Sequence, residues 1–397
     1  MKTTADKTML IVVSGCLLVL IGFGVRASFG LFLTPMSEAN GWGREVFALA
    51  IALQNLMWGA SQPFAGAIAD RYGSGRVIVV GIVLYIAGLF LMANSTTPLM
   101  LHISQGLFIG MALSGTTFAV VLAALARAVP EEKRSWALGI GTAAGSLGQF
   151  LLVPLGQAFL SAYGWSTALM LLGITAFAMV PLARALTGRP EHKGPQQSLT
   201  EALREASGHS GYWFLIGGFF VCGFHVAFIA THLPAYLTDG GLSPKLGAWA
   251  LGTVGLFNVF GAYYSGVLGG RYSKKYLLSA LYFARSIVIA IFISVPLTNV
   301  SALIFAAAIG LLWLSTVPLT SGLVGQIFGP RYMAMLFGIV FFSHQVGSFL
   351  GVWLGGRFYD TTGSYNMIWW MSIALGIVSA LFHWPINEKP VIREVTA

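Results

Sequence analysis

Charge is what this chain has least of: only 9% of its 397 residues are Asp, Glu, Lys or Arg, against about 25% in a typical soluble domain. Acidic charge is scarcest of all. The 13 acidic residues are Asp6, Glu38, Glu45, Asp70, Glu131, Glu132, Glu191, Glu201, Glu205, Asp239, Asp360, Glu388 and Glu394. Each falls in a turn or at the end of an apolar stretch, so no carboxylate is expected at mid-membrane. Cysteine is nearly missing too. Cys16 and Cys222 both sit inside apolar stretches, which rules against a disulfide framework. The sequence has no phosphate-cradling GxxxxGK[ST], no CxxC, no HExxH and no GxSxG. An ATP-driven pump, a metal site, a bound cofactor and enzymatic chemistry are all disfavoured by those absences. No long polar domain is present either, as a membrane sensor would need for its output. The longest polar stretch spans roughly 25 residues between 186 and 210.

What the chain does have is apolar length. A helix needs about 20 mostly apolar residues to cross the hydrocarbon of a bilayer. Twelve such stretches are predicted, at 9–36, 44–69, 75–93, 98–126, 134–160, 165–186, 210–237, 245–270, 274–296, 299–327, 331–357 and 364–385. The first reads as a retained span and not a signal peptide, because it is too long and lacks a small-residue cleavage site. The 49 glycines suit closely approaching membrane helices. The net charge of +9 is explained by topology and requires no nucleic-acid partner. With the N-terminus cytoplasmic, 17 of the 22 Lys and Arg fall on the cytoplasmic side, which is the positive-inside pattern. Arg44, Lys245 and Arg357 fall outside, and Arg26 and Arg285 lie within spans. Both termini are then cytoplasmic, and the expected location is a bacterial inner membrane.

The polar stretch in the middle divides the chain into residues 1–186, a cytoplasmic linker at 187–209, and residues 210–397. The halves resemble each other at an offset of 199 or 200. Gly66-Ala-Ile-Ala-Asp-Arg-Tyr72 matches Gly266-Val-Leu-Gly-Gly-Arg-Tyr272, Gly148 matches Gly347, Leu155-Gly156 matches Leu354-Gly355, and Thr116-Thr117 matches Ser315-Thr316. Phe29 and Pro35 fall on Phe228 and Pro234. This predicts an all-α membrane protein of two pseudo-symmetric six-helix bundles, related by an axis along the membrane normal.

The loop after the second span, Gly66-x-x-x-Asp70-Arg71-x-Gly73-x-x-Arg76, resembles the signature loop of the major facilitator superfamily, and Arg271-Tyr-Ser-Lys274-Lys275 resembles its degenerate second copy. The resemblance implies a gating role for Gly66, Asp70, Arg71, Gly73, Arg76 and Arg271. It implies a weaker latch where Gly270 replaces the aspartate. It also implies that the first, fourth, seventh and tenth spans line a central cavity. Gly24-Val-Arg26-Ala-Ser-Phe-Gly30, Gly41-Trp42-x-Arg44 and His225-x-x-x-x-x-Thr231-His232-Leu-Pro234 resemble bacterial relatives of the monocarboxylate and oxalate/formate transporter group. Members of that group carry a substrate-binding Arg in the eighth span. Here Asn258 and Ala262 occupy that region, and the nearest arginine is Arg285.

Ionisable groups inside spans are functional candidates by default, because they are costly in hydrocarbon. Those at mid-span are Arg26, His225, Arg285 and His344. Arg26 lies 17 residues into the first span, and the repeat offset puts His225 at the matching depth of the seventh. A guanidinium without a carboxylate favours an anion as its missing partner, with bracing of the bundle as the alternative. His225 and His344 are candidates for binding the anion and carrying a proton; each also reads as a neutral core histidine. Arg285 reads equally as a substrate contact or a structural group. Gln54, Asn55, Asn258, Thr116, Thr117, Ser315, Thr316 and Trp313 are candidate ligands that double as helix-packing residues. The expectation is a transporter of a small organic anion, with a proton as an optional second partner, the lipid bilayer as its surroundings and no obligate protein partner. Drug or metabolite efflux by proton antiport is the rival transport reading, weakened by the missing membrane carboxylate. A membrane sensor is the rival from another class.

Overall fold

The computed structural model describes residues 4–130, 134–186, 199–329 and 333–391. They form helices with no strand among the described residues. Ten apolar segments among them are long enough to cross a membrane. One of these, Gly139–Leu186, holds two helices that meet at Gly164, whose φ of 77° turns the chain where a side chain would be strained. The helix Arg44–Tyr72 carries charges at its ends and supplies a further crossing. Twelve spans result among the described residues, six on either side of the central segment. The predicted linker at 187–209 falls largely on 187–198, outside the described residues; its last part is a short helix, Leu199–Ser207, followed by the seventh span at Ser210.

Several spans are broken. The first runs as a helix over Thr4–Ala27, tightens at Phe29–Phe32, and resumes over Leu33–Asn40. The fourth includes a π-helical stretch, His102–Ile109, and breaks at Thr117, which is extended. The tenth breaks between Leu312 and Thr316. The repeat had paired Thr116-Thr117 with Ser315-Thr316, and the breaks in the fourth and tenth spans fall at those pairs.

Close glycine crossings carry the duplication into three dimensions. At Gly148 a Cβ would overlap the carbonyl of Leu20, and at Gly347 it would overlap that of Phe220. The first and fifth spans thus cross as the seventh and eleventh do. Gly30 faces the carbonyl of Ala230 with no room for a side chain. Those two residues are repeat mates in opposite halves, so the pseudo-twofold axis passes between them.

The halves meet along two seams, the second span with the eleventh and the fifth with the eighth. At mid-depth the seams are tight: Gly59 abuts Gln345 at 2.9 Å, and Gly255 abuts Gln149 at 3.0 Å, both measured from an added Cβ. Gln149 also donates to the carbonyl of Leu251 at 2.7 Å across the fifth–eighth seam. Toward the end that carries the termini, Gly66, Gly139, Gly266 and Gly338, one on each seam helix, meet no atom within 4 Å among the described residues. Among the described residues, the far end is closed and the terminal end parted.

Candidate functional site

Arg26 stands just before the break in the first span, in the last turn of its helix. A cation there faces the negative end of the helix dipole. Its Nη2 donates to Asn55 Oδ1 of the second span at 2.7 Å. The guanidinium lies over the rings of Trp58 and Phe23, 5.0 and 5.7 Å from their centroids, a position that favours a cation. Its Nε is buried without a partner, and no carboxylate pairs with it among the described residues.

The neutral groups nearby have spare donors. Asn55 presents its oxygen to Arg26, which leaves its buried Nδ2 without an acceptor. One and two turns along the same helix, Trp58 Nε1 donates to Gln62 Oε1 at 3.0 Å, and Gln62 Nε2 is left over. Across the seam Gln345 Nε2 is also without a partner. Buried donors without acceptors are expensive, so this region of the seam is one that an acceptor-rich solute would stabilise. Gln62 and Gln345 were not singled out by sequence reasoning. Their signal was available as polar residues one turn from Trp58 and beside His344.

His344 lies at the same seam. It stacks on Phe341, with centroids 5.5 Å apart and rings 9° from parallel. Phe341 in turn meets Trp58 edge-on across the seam at 5.6 Å. Arg26, Trp58, Phe341 and His344 therefore form a continuous line from one half to the other. His344 Nδ1 lies 3.4 Å from Gln345 Oε1.

The other charged candidates point elsewhere. His225 shares the repeat position of Arg26 but donates through Nε2 to the Ser372 carbonyl of the last span at 2.7 Å, and it is fully buried within its own half. The seventh span runs unbroken through it, so depth is shared with Arg26 while direction is not. The matching depth inferred from the repeat therefore does not bring the two together: Arg26 stands at the seam and His225 inside the second bundle. Arg285 is sunk into that bundle as well. Its Nε and Nη2 donate to the Leu312 carbonyl at 3.0 and 2.5 Å, and Nη2 also reaches the Trp313 carbonyl. Those are carbonyls freed by the break in the tenth span, and non-helical backbone at membrane depth must be satisfied by such protein groups. Asn258 serves the other side of the same break. Its Oδ1 accepts from Leu314 N at 3.0 Å while Nδ2 donates to Ser146 Oγ across the seam at 3.0 Å.

Most of the neutral candidates are occupied locally. Thr116, Thr117 and Ser315 bond carbonyls four residues back on their own helices, at 2.9, 2.5 and 2.6 Å. Thr316 Oγ1 pairs with Cys222 Sγ at 3.2 Å, Gln54 accepts from Gln105 at 2.5 Å, and Trp313 is buried beside the break. In the signature loop, Gly73 ends the second span with a φ of 96°. Arg76 and Arg271 are exposed. The side chains of Asp70 and Arg71 lie outside the described residues. After the eighth span, Lys274 Nζ donates to Gln326 at 2.6 Å, and Gln326 Nε2 donates to the Glu388 carbonyl at 3.0 Å.

Two six-helix bundles that meet along two seams, with broken helices at mid-depth, define the architecture of a membrane transporter. The family model for the Major Facilitator Superfamily matches residues 15–352, and the chain belongs to that superfamily. It is 27% identical to an uncharacterized MFS-type transporter, YcxA, of Bacillus subtilis (strain 168), over 93% of both chains. It is 25% identical to monocarboxylate transporter 13 of Rattus norvegicus and 27% identical to monocarboxylate transporter 11 of Mus musculus. Each of those alignments covers 87% of this chain and 80% of the relative. Among solved structures, a bacterial homologue of the human lysosomal transporter Spinster, inward-facing and unoccupied, superposes with a TM-score of 0.76 at 13% identity. That match covers 95% of this chain and 96% of the other.

Proposed function

We propose that this protein carries a small organic anion of the monocarboxylate kind across a bacterial inner membrane, with Arg26 as the group that holds the carboxylate. The observation that carries the reading is the guanidinium at mid-span whose one hydrogen-bond partner among the described residues is a neutral amide, amid buried N–H groups without acceptors. A carboxylate brings the acceptors that this cluster lacks, and pairing with a guanidinium is the strong, directional form of that contact. The similarity to monocarboxylate transporters supports the same solute class. The apolar wall of Phe23, Trp58 and Phe341 suits a solute with one charged end.

Transport then proceeds by rocking of residues 1–186 against 210–397, with 187–209 as the cytoplasmic connection and both termini cytoplasmic. In that orientation the parted end faces the cytoplasm. The signature-loop residues Gly66, Asp70, Arg71, Gly73, Arg76 and Arg271 steady the opposite state, in which the cytoplasmic end is shut. His344 carries any proton that is coupled, because its ring joins the line from Arg26 across the seam. Asn55 orients the guanidinium, whereas Arg285 and Asn258 hold the broken tenth span.

Uptake into proteoliposomes, with small mono- and dicarboxylates offered with and without a pH gradient, tests the proposal. Arg26→Ala and Arg26→Lys are expected to insert normally and lose monocarboxylate uptake. Uptake of normal affinity by Arg26→Ala would remove the central claim.

A further inference from the structure

The far end of the molecule holds a cluster of charge that the anion site does not use, and it gathers where the second span begins. That span starts at Gly43, which has no side chain to cap the helix. The N–H groups of a helix's first turn have no partner within the helix. Here Asp360, from the eleventh span in the other half, supplies one. Its Oδ1 accepts from Arg44 N at 2.9 Å and its Oδ2 from Glu45 N at 2.7 Å. The cap is provided in trans.

The repeat mate makes the point sharper. At an offset of 200, Gly43 corresponds to Ser243, which begins the eighth span and caps it with its own hydroxyl, accepting from Lys245 N at 3.2 Å. One copy of the duplication caps itself, and the other borrows a carboxylate from across the seam. Gly43 is also what admits that carboxylate, since a Cβ there would overlap Asp360 Oδ2. Its backbone, at φ −65° and ψ 156°, is one that any residue adopts. The glycine is therefore needed for space and not for conformation.

Around this cap the side chains of Arg44 and Glu45 tie down two more elements and further residues of the eleventh span. Arg44 forks onto Asp239 at the end of the seventh span, with Nη1 to Oδ2 at 2.6 Å and Nη2 to Oδ1 at 2.7 Å. It also donates to Tyr365 OH at 3.0 Å and lies 3.8 Å from the centroid of Tyr359. Glu45 accepts from Trp353 Nε1 and pairs with Arg357 Nη1, both at 3.0 Å. Tyr365 OH continues to His232 Nδ1 at 3.2 Å. Every one of these contacts to Arg44 and Glu45 comes from the other half.

We propose that Asp360, Asp239, Arg44 and Glu45 form a lock that holds the far end shut, with Asp360 as a cap that the second span has only in the closed state. Opening the far end removes both ion pairs and uncaps the helix together, so the lock releases as a unit. The lock sets the balance between the two facing states and is independent of which solute is carried.

The test is a distance measurement by pulsed electron resonance in the purified full chain. Spin labels are attached at Ala39→Cys and Thr361→Cys, in a background with Cys16→Ser and Cys222→Ser. Wild-type residues at the lock should give a predominantly short distance. Asp360→Asn and, independently, Gly43→Ala should each raise the ratio of long to short distances by roughly fivefold or more, the effect of losing one helix cap. Ser243→Ala, which removes the self-cap of the eighth span, should leave the distribution unchanged. Unchanged distances in both Asp360→Asn and Gly43→Ala would overturn the proposal, and so would an equal shift in Ser243→Ala.

Discussion

The protein has two guanidiniums at membrane depth, and their surroundings differ in kind. Arg285 rests on the carbonyls of Leu312 and Trp313, so its charge serves the backbone of a broken helix. Arg26 meets one amide oxygen and two aromatic faces. At the repeat offset of 200, the position of Arg285 is held in the first half by Tyr85, whose hydroxyl donates to the Gly22 carbonyl at 2.8 Å. The two halves have therefore exchanged roles. In the first, a tyrosine braces backbone, and the arginine bonds a side-chain amide with no backbone carbonyl among its partners in the described residues. In the second, the arginine braces and a histidine, His225, is turned onto a carbonyl of the last span. An intramembrane charge is thus a functional hypothesis whose content depends on what it already bonds.

Breaking that comparison at Arg285 should give the largest effect. Arg285→Ala leaves two buried carbonyls without donors, each costing about 1–3 kcal/mol. It should lower the thermal midpoint sharply and reduce the yield of folded protein, and Arg285→Lys should recover only part of the loss. A variant that folds normally but loses affinity for carboxylates would move Arg285 from the brace to the binding site.

A smaller effect separates the two histidines. His225→Ala should cost about 1–3 kcal/mol of stability, because it takes a donor from the buried Ser372 carbonyl, while uptake still responds to an imposed pH gradient. His344→Ala should remove that response, at a cost of about 0.5–1.5 kcal/mol for the lost stack on Phe341. Acid-driven uptake that persists in the His225→Ala, His344→Ala double variant would exclude both as proton carriers.

The fold was legible because its causes are local and repeated. Apolar length, turn residues, basic loops and the offset of 199 or 200 are visible in one dimension, and the repeat even marked the breaks at Thr116-Thr117 and Ser315-Thr316. Arg26 was legible as a candidate, because a charge stands alone there in an apolar helix. It was not legible at His225, because a repeat offset fixes depth along a helix and says nothing of rotation about it. The far-end lock was hidden for another reason. Arg44, Asp239 and Asp360 are separated by 195 and 316 residues in their pairings, and each alone resembles an ordinary loop charge. Gln62 and Gln345 became informative only when Trp58 and the seam showed which of their atoms lacked partners.

The central claim is that Arg26 holds the carboxylate, and ligand-induced thermal stabilisation measures it most directly. A solute that binds the folded state raises its stability by RT ln(1 + [L]/Kd), about 2.7 kcal/mol at a hundredfold excess over Kd. Wild-type protein titrated with a small monocarboxylate should show a melting temperature that climbs with concentration. Arg26→Ala should melt cooperatively with no such climb over the same range. An equal climb in Arg26→Ala would contradict the account.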